Sequence, residues 1–140
     1  MFILDTNILS AIMGSQPVPE VAAWIAGHPE ELLFTATVCQ AEILSGIAIL
    51  PASRRRSGLE AAARTMFLED FEGRILPFNT EAAEVYADIF AARRGAGLST
   101  PPTDLMIAAV ARAKGAGVVT RDIGGFQGCG LTVINPWAAS

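Results

Sequence analysis

Apolar and polar positions alternate along the chain in blocks whose lengths separate strands from helices. Phe2-Ile3-Leu4 is a short apolar run ending at Asp5, which predicts a buried strand with the acid at its carboxyl end. Thr6 and Asn7 open a short helix toward Met13, broken by Gly14-Ser15-Gln16-Pro17. Val18 to Ala26 predicts a helix with Val21, Trp24 and Ile25 as its apolar stripe and Gly27 as its stop. Leu32 to Thr35 predicts a second strand. Thr37 to Leu50 predicts a helix ended by Pro51 and apolar on nearly every side, a pattern that belongs in a core. Glu42 stands in its middle and shares a face with Val38 and Ile49. A carboxylate in such surroundings needs a partner or a cation.

The second half repeats the alternation. Ser53 to Phe71 predicts a helix, and Arg74 to Phe78 a third strand. Thr80 is the expected cap of a helix from Glu81 to about Arg93. Pro101-Pro102-Thr103 introduces a helix from Asp104 to Lys114, closed by Gly115 and Gly117. Val118 to Thr120 predicts a fourth strand with Asp122 just past its end, and Leu131 to Ile134 a fifth. Strands alternating with helices indicate an α/β fold, a central parallel sheet layered between helices, in one domain over residues 1–140. The short connections leave no natural linker.

Composition narrows the setting. Hydrophobic residues make up 51% and charged residues 17% of the chain, more apolar than an average soluble domain, which suggests surface covered by a partner or a second copy. The net charge of −4 argues against a general nucleic-acid coat protein, since phosphate binding wants surplus Lys and Arg. It leaves room for an enzyme that reaches phosphates through bound cations. Asp5 follows Leu4 at once and no basic stretch precedes the run, so neither a signal peptide nor a membrane span is expected. Cys39 and Cys129 lack metal-type spacing and fit a reducing cytoplasm as small packed thiols.

Four acids fall at informative places. Asp5 ends the first strand and Asp122 lies past the fourth, where open parallel sheets bind ligands. Asp104 opens a helix whose free N–H groups favour a carboxylate, and Glu42 projects from the apolar helix. Three of them have a structural use of their own: Asp5 and Asp104 as helix caps, Asp122 as a turn residue. Together they form a different object. Carboxylates about 4 Å apart repel by roughly 4 kcal/mol per pair at an effective dielectric near 20. Oxygen-ligated dications relieve that repulsion, and the set lacks the His and Cys of a typical zinc centre.

Leu4-Asp5-Thr6-Asn7, Ala41-Glu42-Ile43-Leu44-Ser45-Gly46, Asp104 to Ala109 and Thr120-Arg121-Asp122, in this order and spacing, resemble the PIN-domain ribonucleases. Within them the chain is similar to VapC-type toxins of prokaryotic toxin–antitoxin pairs. Gly73 to Phe78 and Asn135-Pro136-Trp137 resemble the FitB-like group, so the likeness runs from residue 2 to residue 137. The resemblance implies Mg²⁺ or Mn²⁺ held by Asp5, Glu42, Asp104 and Asp122, and endonucleolytic cleavage of RNA by activated water. It implies that Thr6 and Asn7 support the first carboxylate and a metal-bound water, and that Thr120 positions the group at Asp122. It implies too that Asp122, the fourth acid, is held less tightly to the metal. Relatives commonly carry an acid or polar residue three positions later, where this chain has Gly125, a departure that bears on a second metal. The resemblance further implies a homodimer and a VapB-like antitoxin that places an Arg-bearing segment at the acidic site, with DNA contacted only through that antitoxin.

Other residues carry weaker expectations. Arg93, Arg94 and Arg121 lie near the expected site edge and are candidates for contacting RNA phosphates, whereas Arg54-Arg55-Arg56 reads as a solvated helix start. His28, in a Gly-His-Pro loop, reads as an ordinary surface side chain, and Trp24 and Trp137 as packing residues. Gly124 to Gly128 lacks the lysine and spacing of a phosphate-cradling loop. Two other functions stand beside the ribonuclease: a non-catalytic PIN module working in a DNA-binding repressor complex, and another Mg²⁺-dependent phosphate enzyme such as a phosphatase.

Overall fold

In a computed structural model, which describes residues 1–138, five short strands form one all-parallel sheet in the order β3-β2-β1-β4-β5. The strands are β1 (Phe2–Leu4), β2 (Leu33–Ala36), β3 (Ile75–Leu76), β4 (Gly117–Val119) and β5 (Val133–Ile134). The helices flanking them are α1 (Thr6–Met13), α2 (Pro19–Ala26), α3 (Thr37–Ala48), α4 (Arg54–Thr65), α5 (Thr80–Gly95) and α6 (Pro102–Ala113). The expected α/β architecture is therefore the observed one.

β1 and β4 run side by side with Leu4 opposite Val119, and both are wholly apolar because the sheet is covered on its two faces. From β1 the chain proceeds outward through β2 and β3, then returns to the other side of β1 for β4. The reversal between β1 and β4 opens a crevice beyond their carboxyl ends. Ile3, Leu4, Val118 and Val119 are at most 1% exposed, and Leu105, Ile107 and Ala108 of α6 pack into the same core. Each buried aliphatic side chain of this size contributes about 1.5–3 kcal/mol.

Local rules account for most boundaries. Pro102 occupies the first position of α6, where its missing N–H costs nothing. Ser53 caps α4 by accepting from the Arg56 N–H, and a π-helical segment (Met66–Asp70) continues that helix to Phe71, so the expected Ser53–Phe71 span is helical. The start of α5 differs from expectation: Asn79, not Thr80, is its cap, accepting from the Ala82 N–H. Both residue types cap well, and only the backbone turn decides between neighbours.

α3 differs more. Cys39, Ile43 and Ile47 are buried, but Leu44 is 47% and Ile49 85% exposed. The helix lies at the edge of the core, and the remainder of its apolar surface faces outward. Among the described residues no helix is long and apolar enough to cross a membrane.

Candidate active site

Asp5 follows β1 directly. Its backbone N–H donates to the Val119 carbonyl at 3.0 Å, extending the β1–β4 pairing by one step and setting Asp5 beside Thr120. The Asp5 carboxylate accepts from the Thr6 N–H through Oδ1 (2.7 Å) and from the Thr120 hydroxyl through Oδ2 (2.7 Å). Its carbonyl accepts from the N–H groups of Ile8 and Leu9, so the residue that ends the strand also starts α1. With the side chain 5% exposed, burial pushes the Asp5 carboxyl up from its usual range. The two hydrogen bonds oppose that rise, while Glu42 and Asp122 add to it.

Thr120 is the hub of this arrangement. Its hydroxyl donates to Asp5 and accepts from the Asn7 side-chain amide (3.2 Å) and the Asp122 N–H (3.1 Å), using its one donor and both lone pairs. Asn7 Oδ1 in turn accepts from the Arg121 N–H at 3.1 Å. Thr6, Asn7 and Thr120 thus tie the start of α1 to the turn carrying Asp122.

Glu42 approaches from α3, and its Oε1 accepts from the Thr6 hydroxyl at 2.5 Å, a distance in the range of hydroxyl–carboxylate bonds. It is solvent-exposed, contrary to the expectation of a carboxylate on an apolar core face. The sequence pattern of α3 is apolar all round, so periodicity could not show which side met the core. Asp104 lies in the first turn of α6, half-buried. Burial first, then the charges of Asp5, Asp122 and Glu42, raise its carboxyl to about 6, and Arg93 partly offsets this. The charges of Glu42 and Asp122 thus bear on both Asp5 and Asp104 across the crevice, although among the described residues no three acids converge into a ready-made ion cage.

The sequence profile of the PIN domain matches residues 2–127. The chain belongs to the PIN-domain family. It is 39% identical over 139 residues to the plasmid stability protein StbB of Pseudomonas syringae pv. tomato, spanning 99% of this chain and 100% of that one. It is 37% identical over 137 residues to the VapC ribonuclease Y4jK of Sinorhizobium fredii, spanning 98% of each. The toxin FitB of Neisseria gonorrhoeae is 34% identical over 137 residues, covering 98% of this chain and 99% of its own. A solved structure of FitAB bound to a DNA fragment superposes with a TM-score of 0.92 at 33% identity, over 100% of this chain and 98% of that one.

The arginines of this PIN domain divide three ways. Arg94 and Arg121 are exposed, and the Arg121 guanidinium lies 4.9 Å from the Trp137 ring centroid. Arg93 is not a phosphate contact. It is 2% exposed, and its donors are committed to the carbonyls of Ser99, Gly124 and Gln127 and to the Ser99 hydroxyl. The sequence placed it near the site but did not show its direction, because it lies one residue from exposed Arg94 on the same helix. It is also a buried cation near the acids, which no pattern along the chain foretells. Arg56 pairs with Glu60 at 2.8 Å and donates to the Leu50 carbonyl, bracing α4 against the end of α3.

Gly125 carries structural information that a motif search misses. A Cβ there would lie 2.3 Å from Asp104 Oδ2. His28 is likewise no ordinary surface group. Its ring stacks on Trp24 with centroids 3.9 Å apart, and Nδ1 lies 2.6 Å from the Trp24 carbonyl. The two cysteines are buried, and burial drives the Cys39 thiol to about 12, so it stays protonated at neutral pH.

Proposed function

We propose that this PIN nuclease of toxin–antitoxin type hydrolyses RNA phosphodiester bonds with a Mg²⁺ or Mn²⁺ ion held by Asp5, Glu42, Asp104 and Asp122. The observation carrying the proposal is the electrostatic frustration at the crevice. Burial and neighbouring carboxylates both raise Asp5 and Asp104, and a dication is the species that turns this cost into binding. The donor set fits a hard cation, being all oxygen without His or thiolate ligands. When bound, such an ion supplies Lewis acidity and a water of lowered pKa.

The protein's part is orientation. Thr6 and Thr120 fix the two Asp5 oxygens, the Thr6 hydroxyl aims Glu42, and the N-terminal turn of α6 presents Asp104. Asp122 reaches the edge of the site from the turn held by Thr120. Arg94 and Arg121, both exposed, are the groups we assign to RNA phosphates. DNA is reached through the antitoxin rather than by these residues.

We further infer that a VapB-like antitoxin covers the groove running from Thr6 and Glu42 along α1 and α3 past Met13 and Ile47 to Leu59, about 340 Å³ in volume. A chain with an apolar segment and a basic side chain at the Glu42 end fits that groove, whose apolar floor also meets Arg55. The exposed Leu44 and Ile49 support a homodimer or a second antitoxin contact.

Purified protein is expected to cut RNA with Mg²⁺ or Mn²⁺ and to lose activity in excess EDTA. Asp5→Asn and Glu42→Gln are each expected to lower cleavage by at least a hundredfold while circular dichroism stays unchanged. Undiminished cutting in EDTA, or by either variant, refutes the metal mechanism. Antitoxin binding with neither Mn²⁺ binding nor RNA cleavage would select the non-catalytic repressor module. Hydrolysis of a phosphomonoester without RNA cleavage would select a phosphatase.

A further inference from the structure

Arg93 and Asp104 both lie against one short turn that contains Gly125, and together they point to a device that places the third acid. The turn runs through Ile123–Phe126, directly after Asp122, and Phe126 anchors it in the core at 1% exposure. On its inner side the buried Arg93 guanidinium donates from Nη1 to the carbonyls of Gly124 (3.3 Å) and Gln127 (2.5 Å). Nε holds the Ser99 carbonyl at 2.7 Å, which ties the turn to the segment leading into α6. Among the described residues the two ion pairs are Arg56–Glu60 and Arg74–Glu30, so this buried charge has no carboxylate among its direct partners. A buried cation so placed is costly, and a purely structural clamp would be cheaper with an uncharged donor.

On its other side the turn meets the acidic site. Gly125 sits between the two carbonyls that Arg93 holds. A Cβ there would lie 2.3 Å from Asp104 Oδ2 and 3.1 Å from its Cγ. Gly125 does not have the left-handed backbone that would demand glycine. The missing side chain is therefore explained by the carboxylate occupying its place.

We propose that Arg93 is a positioning residue for Asp104: by holding both ends of the Gly124–Gln127 turn, it fixes the Gly125 backbone against which the Asp104 carboxylate is seated. This rests on the metal-dependent reading above, in which Asp104 is a ligand. Arg93 itself touches neither metal nor RNA. A lysine at this position keeps the charge but cannot span carbonyls at 99, 124 and 127 with one planar fork.

The test compares full-length wild type with Gly125→Ala, Arg93→Lys and their double variant. Mn²⁺ affinity is read by electron paramagnetic resonance, stability by thermal melting in EDTA, and RNA cleavage as kcat and KM. Gly125→Ala is expected to melt within a few degrees of wild type, yet to bind Mn²⁺ about tenfold more weakly, with kcat reduced and KM for RNA unchanged. Arg93→Lys is expected to show a Mn²⁺ loss of similar size. The double variant should lose little more than either alone, because both act through one carboxylate.

Wild-type Mn²⁺ affinity in Gly125→Ala overturns the proposal, as does wild-type affinity in a folded Arg93→Lys. If Arg93→Lys fails to fold, Gly125→Ala alone decides whether the turn places Asp104, and additivity is then sought with Arg93→Gln. Should wild type itself bind no Mn²⁺ and cut no RNA, the metal-dependent reading falls first and this inference with it.

Discussion

Among the described residues, four polar or charged side chains are buried: Asp5, Thr35, Thr120 and Arg93. All four serve one corner of the molecule. Thr35 donates to the Leu4 carbonyl at 2.9 Å, just ahead of Asp5, and the other three bear on the acidic crevice. Thr120 is the most fully used. Replacing it with Val removes the donor to Asp5 and strands the Asp122 N–H and the Asn7 amide, which should cost about 1–3 kcal/mol in urea unfolding as well as most of the activity. Asp104 predicts the opposite sign. Its carboxyl titrates near 6 in the fold against 3.8 when unperturbed, so the folded state holds more protons and loses stability as pH rises through that window. In EDTA at pH 7, Asp104→Asn should therefore be the more stable protein, by on the order of 1 kcal/mol once solvent screening is allowed for. The gain should vanish below about pH 4. A lower melting temperature for the variant at pH 7 would show that burial and the neighbouring acids do not destabilise its carboxylate.

At the scale of elements, each acid arrives on a different device. Asp5 sits at a strand-to-helix junction, Glu42 on a helix edge, Asp104 in a first helical turn and Asp122 in a turn after a strand. Strand ends and helix starts are legible from short-range pattern, so Asp5, Asp104 and Asp122 could be placed on their elements from sequence. Glu42 reads from sequence as lying on an apolar core face, yet it is exposed, because α3 has too little polarity for its periodicity to show which side meets the core. The α5 cap belongs to this scale too. Asn79→Ala should cost about 1 kcal/mol in thermal unfolding and leave RNA cleavage untouched, since the cap lies at the opposite end of α5 from Arg93. A strong loss of activity would mean that α5 transmits more than packing.

For the whole molecule, the reversal of strand order between β1 and β4 does the decisive work, because it brings residues 5 and 122 to one crevice. The molecule also leaves apolar surface uncovered, chiefly Ile49 at 85% and Leu68 at 63% exposure. Ile49→Lys should shift the melting temperature negligibly, as exposed substitutions do, while weakening association with the antitoxin or a second copy in gel filtration. Unchanged association in both would make that patch incidental.

The sequence by itself determined the alternation of strands and helices, and hence the parallel α/β class, because both periodicities are local and the loops between them are short. It also placed the acids at element ends and carried the PIN motifs. Only the tertiary structure decided which side of α3 meets the core, that Arg93 points inward while Arg94 points out, and that Gly125 leaves space for a carboxylate. Those are questions of direction between segments far apart in the chain, and side-chain spacing along one segment holds no record of what a second segment brings against it.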